Sequence, residues 1–316
     1  MSAFPARRLG RTALTVTAVG VGCAALGDMP DEFGYCVDRE RALAALRAAF
    51  AGPFNLIDTA AIYGGGGSER RIGQVIAERG GLPDGIVLMT KADRDPRSND
   101  FSASQMRRSV EGSLERLGLD RLGLVHLHDP EHASFESTMA PGGAVDALVR
   151  MRDEGLVAYL GVAGGPISML MRYVETGICD AVVTHNRWTL LNRTAEPLLA
   201  LAAARGVAVL NAAPYSSGIL AKGPSARWAY QVPPAEVVAR AERIAAVCAR
   251  YGVPVAAAAL QHSLREPRIT ATIVGMTRPE RVAETAALAA LALPNELFVE
   301  LHPLAFEGDP EAARWG

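Results

Sequence analysis

Short, almost purely apolar runs alternate along this chain with longer stretches whose apolar residues recur at helical spacing. The runs cover residues 19–22, 56–58, 86–90, 122–127, 158–162, 181–184, 207–211 and 271–274. Runs apolar on both faces predict strands of a parallel sheet covered by helices. Helical spacing at Leu43, Leu46 and Phe50 predicts a helix over residues 39–50, and further helices are expected over 68–79, 104–117, 144–154, 167–175, 196–205, 236–250, 255–262 and 279–288. Gly118, Gly155 and Gly177 punctuate three of them. Residues 8–17, around Gly10-Arg11-Thr12, predict a short N-terminal β-hairpin. Eight strand–helix units close most naturally into a (β/α)8 barrel, the TIM architecture. No composition shift or linker divides residues 1–316, which read as one domain.

The strands end on polar residues. Asp58, Lys91, His128, His185 and Asn211 stand at, or one residue past, the carboxyl ends of successive runs. Barrel enzymes carry their chemistry on that rim. One such residue reads as a cap or a satisfied core group; the full series reads as a site. Composition narrows the class of site. With 49% hydrophobic and 21% charged residues, the chain is that of a globular protein, and its net charge of -2 argues against a nucleic-acid surface. No apolar run reaches membrane-spanning length, and residues 1–8 precede no export-type core segment. Cys23, Cys36, Cys179 and Cys248 are scattered, without metal-ligand spacing. The expectation is a cytoplasmic protein with reduced thiols that takes a small-molecule substrate, with no nucleic acid, membrane or metal partner.

Asp58, Tyr63, Lys91 and His128 form a proton-handling set. A phenol titrates near 10, and a neighbouring ammonium is expected to lower that value toward working pH. Asp58 would hold the lysine, and the imidazole would orient a substrate oxygen. That suits a carbonyl gaining, or a hydroxyl losing, a proton while hydride moves elsewhere. No side chain carries hydride, so a nicotinamide is implied. Tyr63 sits on a loop with Gly64 to Gly67, which supply the backbone angles that let the loop curl back. His126 shares the strand face of His128.

The loop Asp58-Thr59-Ala60-Ala61-Ile62-Tyr63-Gly64 with Ser68-Glu69 resembles the signature of the aldo-keto reductases. The likeness extends to Leu9-Gly10-Arg11-Thr12, Met89-Thr90-Lys91 and Leu127-His128-Asp129-Pro130. It implies Tyr63 as acid/base, Lys91 and Asp58 as its tuning pair and His128 as the substrate-orienting group. Segments 187–192, 214–220 and 256–261 are similar to the branch that oxidises D-threo-aldoses, L-galactose and pyridoxal. By that likeness Tyr63 would take a proton from an anomeric hydroxyl, leaving a lactone. Reduction of an aldehyde or ketone with NADPH is the reverse alternative, and a nucleotide-binding sensor barrel with little turnover is the alternative from another class.

The cofactor, NADP or NAD, is expected along the ends of the last two strands. Pro214, Tyr215, Ser216, Gly218 and Leu220 form a small-residue loop suited to a pyrophosphate, and Gly275, Thr277, Arg278 and Arg281 open the next helix. Arg278 and Arg281 are forked donors for a 2′-phosphate. The resemblance adds Gly22, Cys23, Asp58, His185 and Glu284 to the cofactor side, and Trp188 joins Tyr63 and His128 on the substrate side. The chain departs from the family pattern at four positions in three places. Ala163-Gly164 replaces a Ser-Asn pair that usually holds the nicotinamide carboxamide, His185 replaces a Gln, and Ala212 replaces a stacking aromatic. Gly20-Val21-Gly22-Cys23-Ala24-Ala25 loosely matches a Rossmann fingerprint, but residues 26–37 read as loop rather than the helix that fingerprint needs.

Overall fold

The computed structural model describes residue 4 and residues 6–312. Residues 1–3 and 5, part of the stretch in which no export segment was read, lie outside that set. β1 (Ala6–Arg8) and β2 (Thr15–Thr17) form the expected antiparallel hairpin. Among the described residues eight parallel strands then close a barrel: β3 (Val19–Gly22), β4 (Leu56–Asp58), β5 (Val87–Ala92), β6 (Leu122–His128), β7 (Val157–Gly164), β8 (Ala181–His185), β9 (Ala208–Ala212) and β10 (Ile269–Gly275). They pair in chain order, and β10 joins β3 to β9.

Two apolar layers hold this wall. Val125, Leu127, Val162, Val182, Val209 and Val274 point outward into a shell of helices. Leu56, Met89, Leu124, Val183, Leu210 and Ile273 point inward, and Leu9 and Val16 of the hairpin plug the lower end of the same inner cluster. Strand alternation therefore assigns inward-facing parity to Asp58, Lys91, His126, His128 and His185. The outer helices start and stop on local signals. The Asp38 side chain accepts from Arg41 N at the head of Arg39–Ala51, Ser102 accepts from Gln105 N at the head of Ala103–Leu117, and Gly118 ends the latter at φ 67°.

The stretch after β3 contains a 3-10 turn (Ala24–Gly27) and a single helical turn (Pro30–Phe33) rather than the long helix a Rossmann fingerprint needs, in line with its rejection from the sequence. The loop after β6 holds Phe135–Met139, and a further helix, Asn295–Leu301, packs outside the barrel. These short helices lack the full turns of apolar spacing that make a helix visible in sequence. No single helix among the described residues is long and apolar enough to cross a membrane.

Candidate active site

The loop between β4 and Gly67–Glu78 folds back over the barrel mouth. Gly64 has φ 58°, and a Cβ there would meet the Gly27 carbonyl oxygen at 1.9 Å, so only glycine permits this closeness. Below the loop, Thr59 and Ser68 hydroxyls bond at 2.8 Å, and Ser68 also donates to Cys23 O at 2.9 Å. Glu69 is buried and clamped between Thr90 Oγ1 and Arg116 Nε, at 2.5 and 2.7 Å. The motif residues beyond the chemistry thus lock the loop to β3, β5 and the helix beside it.

The structure brings the four proton-handling residues together. Lys91 Nζ donates to Asp58 Oδ1 at 2.8 Å, Thr59 O at 2.7 Å and the Tyr63 hydroxyl at 3.0 Å. Lys91 is 2% exposed and Asp58 5%. The rings of Tyr63 and His128 meet edge to face, with centroids 5.7 Å apart. His126, one register step below, is walled in against Gly161 and buried; burial and then the Lys91 charge pull its pKa down to about 3, so it stays neutral.

One member of the site escaped sequence reading. Asp93 Oδ1 holds His128 Nδ1 at 2.6 Å, while Oδ2 accepts from the Ile62 amide at 2.8 Å. A single carboxylate thereby joins the imidazole to the loop that carries Tyr63. The signal existed, since Asp93 is an acid just past the end of β5, as Asp58 is at the end of β4. Burial alone would lower the His128 pKa, but Asp129, Asp93 and the Asp93 hydrogen bond together raise it above the ordinary value.

The phenol behaves differently from expectation. Burial first, then the charges of Asp58, Asp129 and Asp93, push Tyr63 well above its ordinary pKa. Asp58, 2.8 Å from Lys91 Nζ, offsets part of the ammonium's pull on the phenol. Those carboxylates and the closed loop favour the protonated phenol.

Across the mouth, a cleft of about 920 Å³ runs along the ends of β9 and β10. Pro214, Tyr215, Gly218, Gly275, Thr277, Arg278 and Arg281 line it as expected, together with Ser217. Arg41, Lys222 and Arg227 add three cations to the two expected arginines. A long cleft rich in cations, small residues and aromatic rings (Tyr35, Tyr215, Tyr230) fits a dinucleotide phosphate and base. Glu284 lies beside it, bonded to Arg278 at 2.8 and 2.7 Å and to Arg281 at 3.4 Å. His185 stands on the rim, with Nδ1 3.0 Å from Glu311 Oε1 of the C-terminal segment. Gly22 pairs with Asp58 on one side and Gly275 on the other, between the two halves of the site.

Several expected contacts are corrected. Ser216 Oγ donates to Thr189 Oγ1 at 3.0 Å and is buried, and Leu220 lies in the outer core; neither faces the cleft. The Cys23 side chain is buried in that core, leaving only its backbone near the site. Trp188 stacks on His262 at 5.7 Å in the outer helical layer, with Arg193, Glu196 and Arg268 near it, and so leaves the substrate side. Asn211 points outward, donating to Trp188 O and Ser263 Oγ at 2.9 and 2.8 Å.

Comparison with known proteins agrees with this fold. The sequence profile described as the aldo/keto reductase family matches residues 18–304. The chain is 33% identical to D-threo-aldose 1-dehydrogenase of Pseudomonas sp, over 91% of this chain and 94% of that protein. It is 30% identical to L-galactose dehydrogenase of Arabidopsis thaliana, over 96% and 95%. Pyridoxal 4-dehydrogenase of Microbacterium luteolum is 29% identical over 95% and 97%. The fold matches the holo form of aldo-keto reductase AKR11C1 from Bacillus halodurans with a TM-score of 0.77, at 21% identity over 98% and 99% of the two chains. With an eight-stranded barrel, a profile match across it and relatives at this identity, the chain belongs to the aldo/keto reductase family and is an NAD(P)-dependent oxidoreductase.

Proposed function

We propose that this enzyme oxidises an aldose at C1 to its lactone, with Tyr63 as the proton carrier. The observation that carries the chemistry is the convergence of Tyr63, Lys91 and His128 on one point of the barrel mouth. The substrate class is supported by the similarity to the aldose and galactose dehydrogenases. The nicotinamide, when bound, supplies the hydride acceptor. The residues of this chain do the rest. His128, its Nδ1 fixed by Asp93, turns Nε2 toward the substrate oxygen and orients it. In the scarce form in which the Tyr63 phenol has released its proton to solvent, its oxygen takes the proton of the anomeric hydroxyl. Lys91 Nζ donates to that oxygen and holds it in place. Loss of that proton together with hydride from C1 leaves the C1–O double bond of a lactone.

One observation favours a second reading. A phenol held protonated by burial is ready to give a proton, which suits reduction of an aldehyde or ketone by the same residues in reverse. Absorbance at 340 nm separates the two: aldoses with NAD⁺ and NADP⁺ in one arm, small aldehydes and ketones with NADH and NADPH in the other. Tyr63→Phe should lower turnover by a factor on the order of 10²–10⁴ while leaving cofactor affinity nearly unchanged. Full activity in that variant would end the assignment.

A further inference from the structure

The strand that carries His128 does not run straight into its loop. Asp129, the next residue, has left-handed backbone at φ 43° and ψ 55°, and Pro130 opens a 3-10 turn (Pro130–His132) behind it. An aspartate tolerates that conformation better than most side chains do. The turn is tied twice to the end of β7. Asp129 N donates to Ala163 O at 2.7 Å, and Gly165 N donates to Glu131 Oε1 at 2.8 Å. The bend sets the Asp129 carboxylate beside the imidazole that precedes it. Its Oδ1 lies 3.6 Å from His128 Nε2, beyond hydrogen-bond reach, and its side chain is 39% exposed.

This carboxylate makes itself felt at both reacting groups. Burial lowers the His128 pKa, and the charge of Asp129 is the foremost influence opposing it, ahead of Asp93. Burial, then Asp58, then Asp129 raise the Tyr63 pKa, again with Asp93 behind. Asp129 Oδ1, His128 Nε2 and the Tyr63 ring therefore border one point at the barrel mouth, on a side that solvent reaches. The other acids there are engaged: Asp93 by His128 Nδ1 and Ile62 N, Asp58 by Lys91. Among the described residues no hydrogen bond reaches the Asp129 carboxylate. Water satisfies it in the free enzyme; a substrate that displaces this water must bring a donor.

We infer that Asp129 is a specificity-determining residue, its Oδ1 accepting the C2 hydroxyl of a sugar whose C1 oxygen rests on His128 and Tyr63. This rests on the aldose reading above. Two ring atoms flank C1 in a cyclic sugar. The ring oxygen has no proton to give, so on that side only the C2 hydroxyl can satisfy the carboxylate. With the C1 oxygen on His128 Nε2, this hydroxyl is its neighbour one carbon away, as Oδ1 is the neighbour of Nε2. A sugar without it leaves the charge short of a donor once water has gone, and a site that hydrogen-bonds a hydroxyl rejects the analogue lacking one. Because Asp129 keeps part of its exposure, the discrimination is that of one charge-assisted bond rather than of a sealed pocket.

The test is kcat/KM, followed at 340 nm, for L-galactose and L-fucose, each against its 2-deoxy form, in wild type, Asp129→Gly and Asp129→Asn. Glycine adopts the left-handed backbone without strain, so loss of the carboxylate is not confused with loss of the turn. Wild type should prefer the 2-hydroxy sugar about ten- to hundredfold. Asp129→Gly should bring each pair within about threefold, with Asp129→Asn between. A change in His128 or in folding scales both sugars of a pair alike, so a merely structural role would leave the ratio where it was. A wild-type ratio near one, or an Asp129→Gly ratio as large as that of wild type, overturns the inference while the aldose reading stands. Wild type idle on all four sugars brings down that reading, and the inference with it.

Discussion

Replacing Lys91 by Met keeps the unbranched stem of the side chain to its fourth atom and removes its charge and three donated hydrogen bonds. Those bonds run to Asp58, Thr59 O and Tyr63 at 2.8, 2.7 and 3.0 Å. The ion pair is shielded, with side-chain exposures of 2% and 7%, so solvent screening does little to soften the change. Removing one partner of a buried pair leaves an uncompensated charge and costs about 3–5 kcal/mol. Thermal unfolding should register this as a fall in Tm on the order of 6–10 °C. The paired change Asp58→Asn with Lys91→Met leaves no stranded charge and should recover about 2 kcal/mol of the loss. Activity should follow a different course, since both variants strip Tyr63 of its Nζ partner and both should lose a factor on the order of 10²–10⁴. Stability and turnover therefore separate in the double variant. A single variant within about 1 kcal/mol of wild type, or a double variant less stable than the single, would refute the argument that the buried charge dominates.

Asp93→Asn keeps an acceptor for the Ile62 amide but loses the charge beside His128; turnover should fall about ten- to hundredfold, and NMR titration should show the His128 pKa lower than in wild type. Because Tyr63 is pushed above its ordinary pKa, its phenolate is scarce near neutrality and grows with pH. The kcat/KM for oxidation should rise roughly tenfold per pH unit from 7 to 9, and a flat profile would remove Tyr63 as the base. Glu284 occupies the forks of Arg278 and Arg281 and opposes a second anion there. Glu284→Ala should shift the NADP⁺ to NAD⁺ affinity ratio toward NADP⁺ by about tenfold in binding titrations.

The alternation of apolar runs and amphipathic stretches was enough to determine the barrel, because a parallel strand buried on both faces and a helix buried on one leave different periods in the chain. The same is true of Asp58, Lys91 and His128, whose polarity interrupts apolar runs where strands end, and of Tyr63 on the glycine-rich loop that follows the first of them. What the sequence does not carry is direction. In a strand apolar on both sides nothing marks which parity faces inward, so Asn211 read like His185, yet it bonds outward to Ser263. Residues on irregular loops are placed by whatever packs beneath them. That is how Trp188 came to stack on His262, and how Asp93, Glu131 and Glu311 came to brace the rim from three separate segments. Electrostatics followed the same division. An ammonium beside a phenol is legible in the sequence, whereas the burial and surrounding carboxylates that keep Tyr63 protonated exist only once the loop has closed over the barrel.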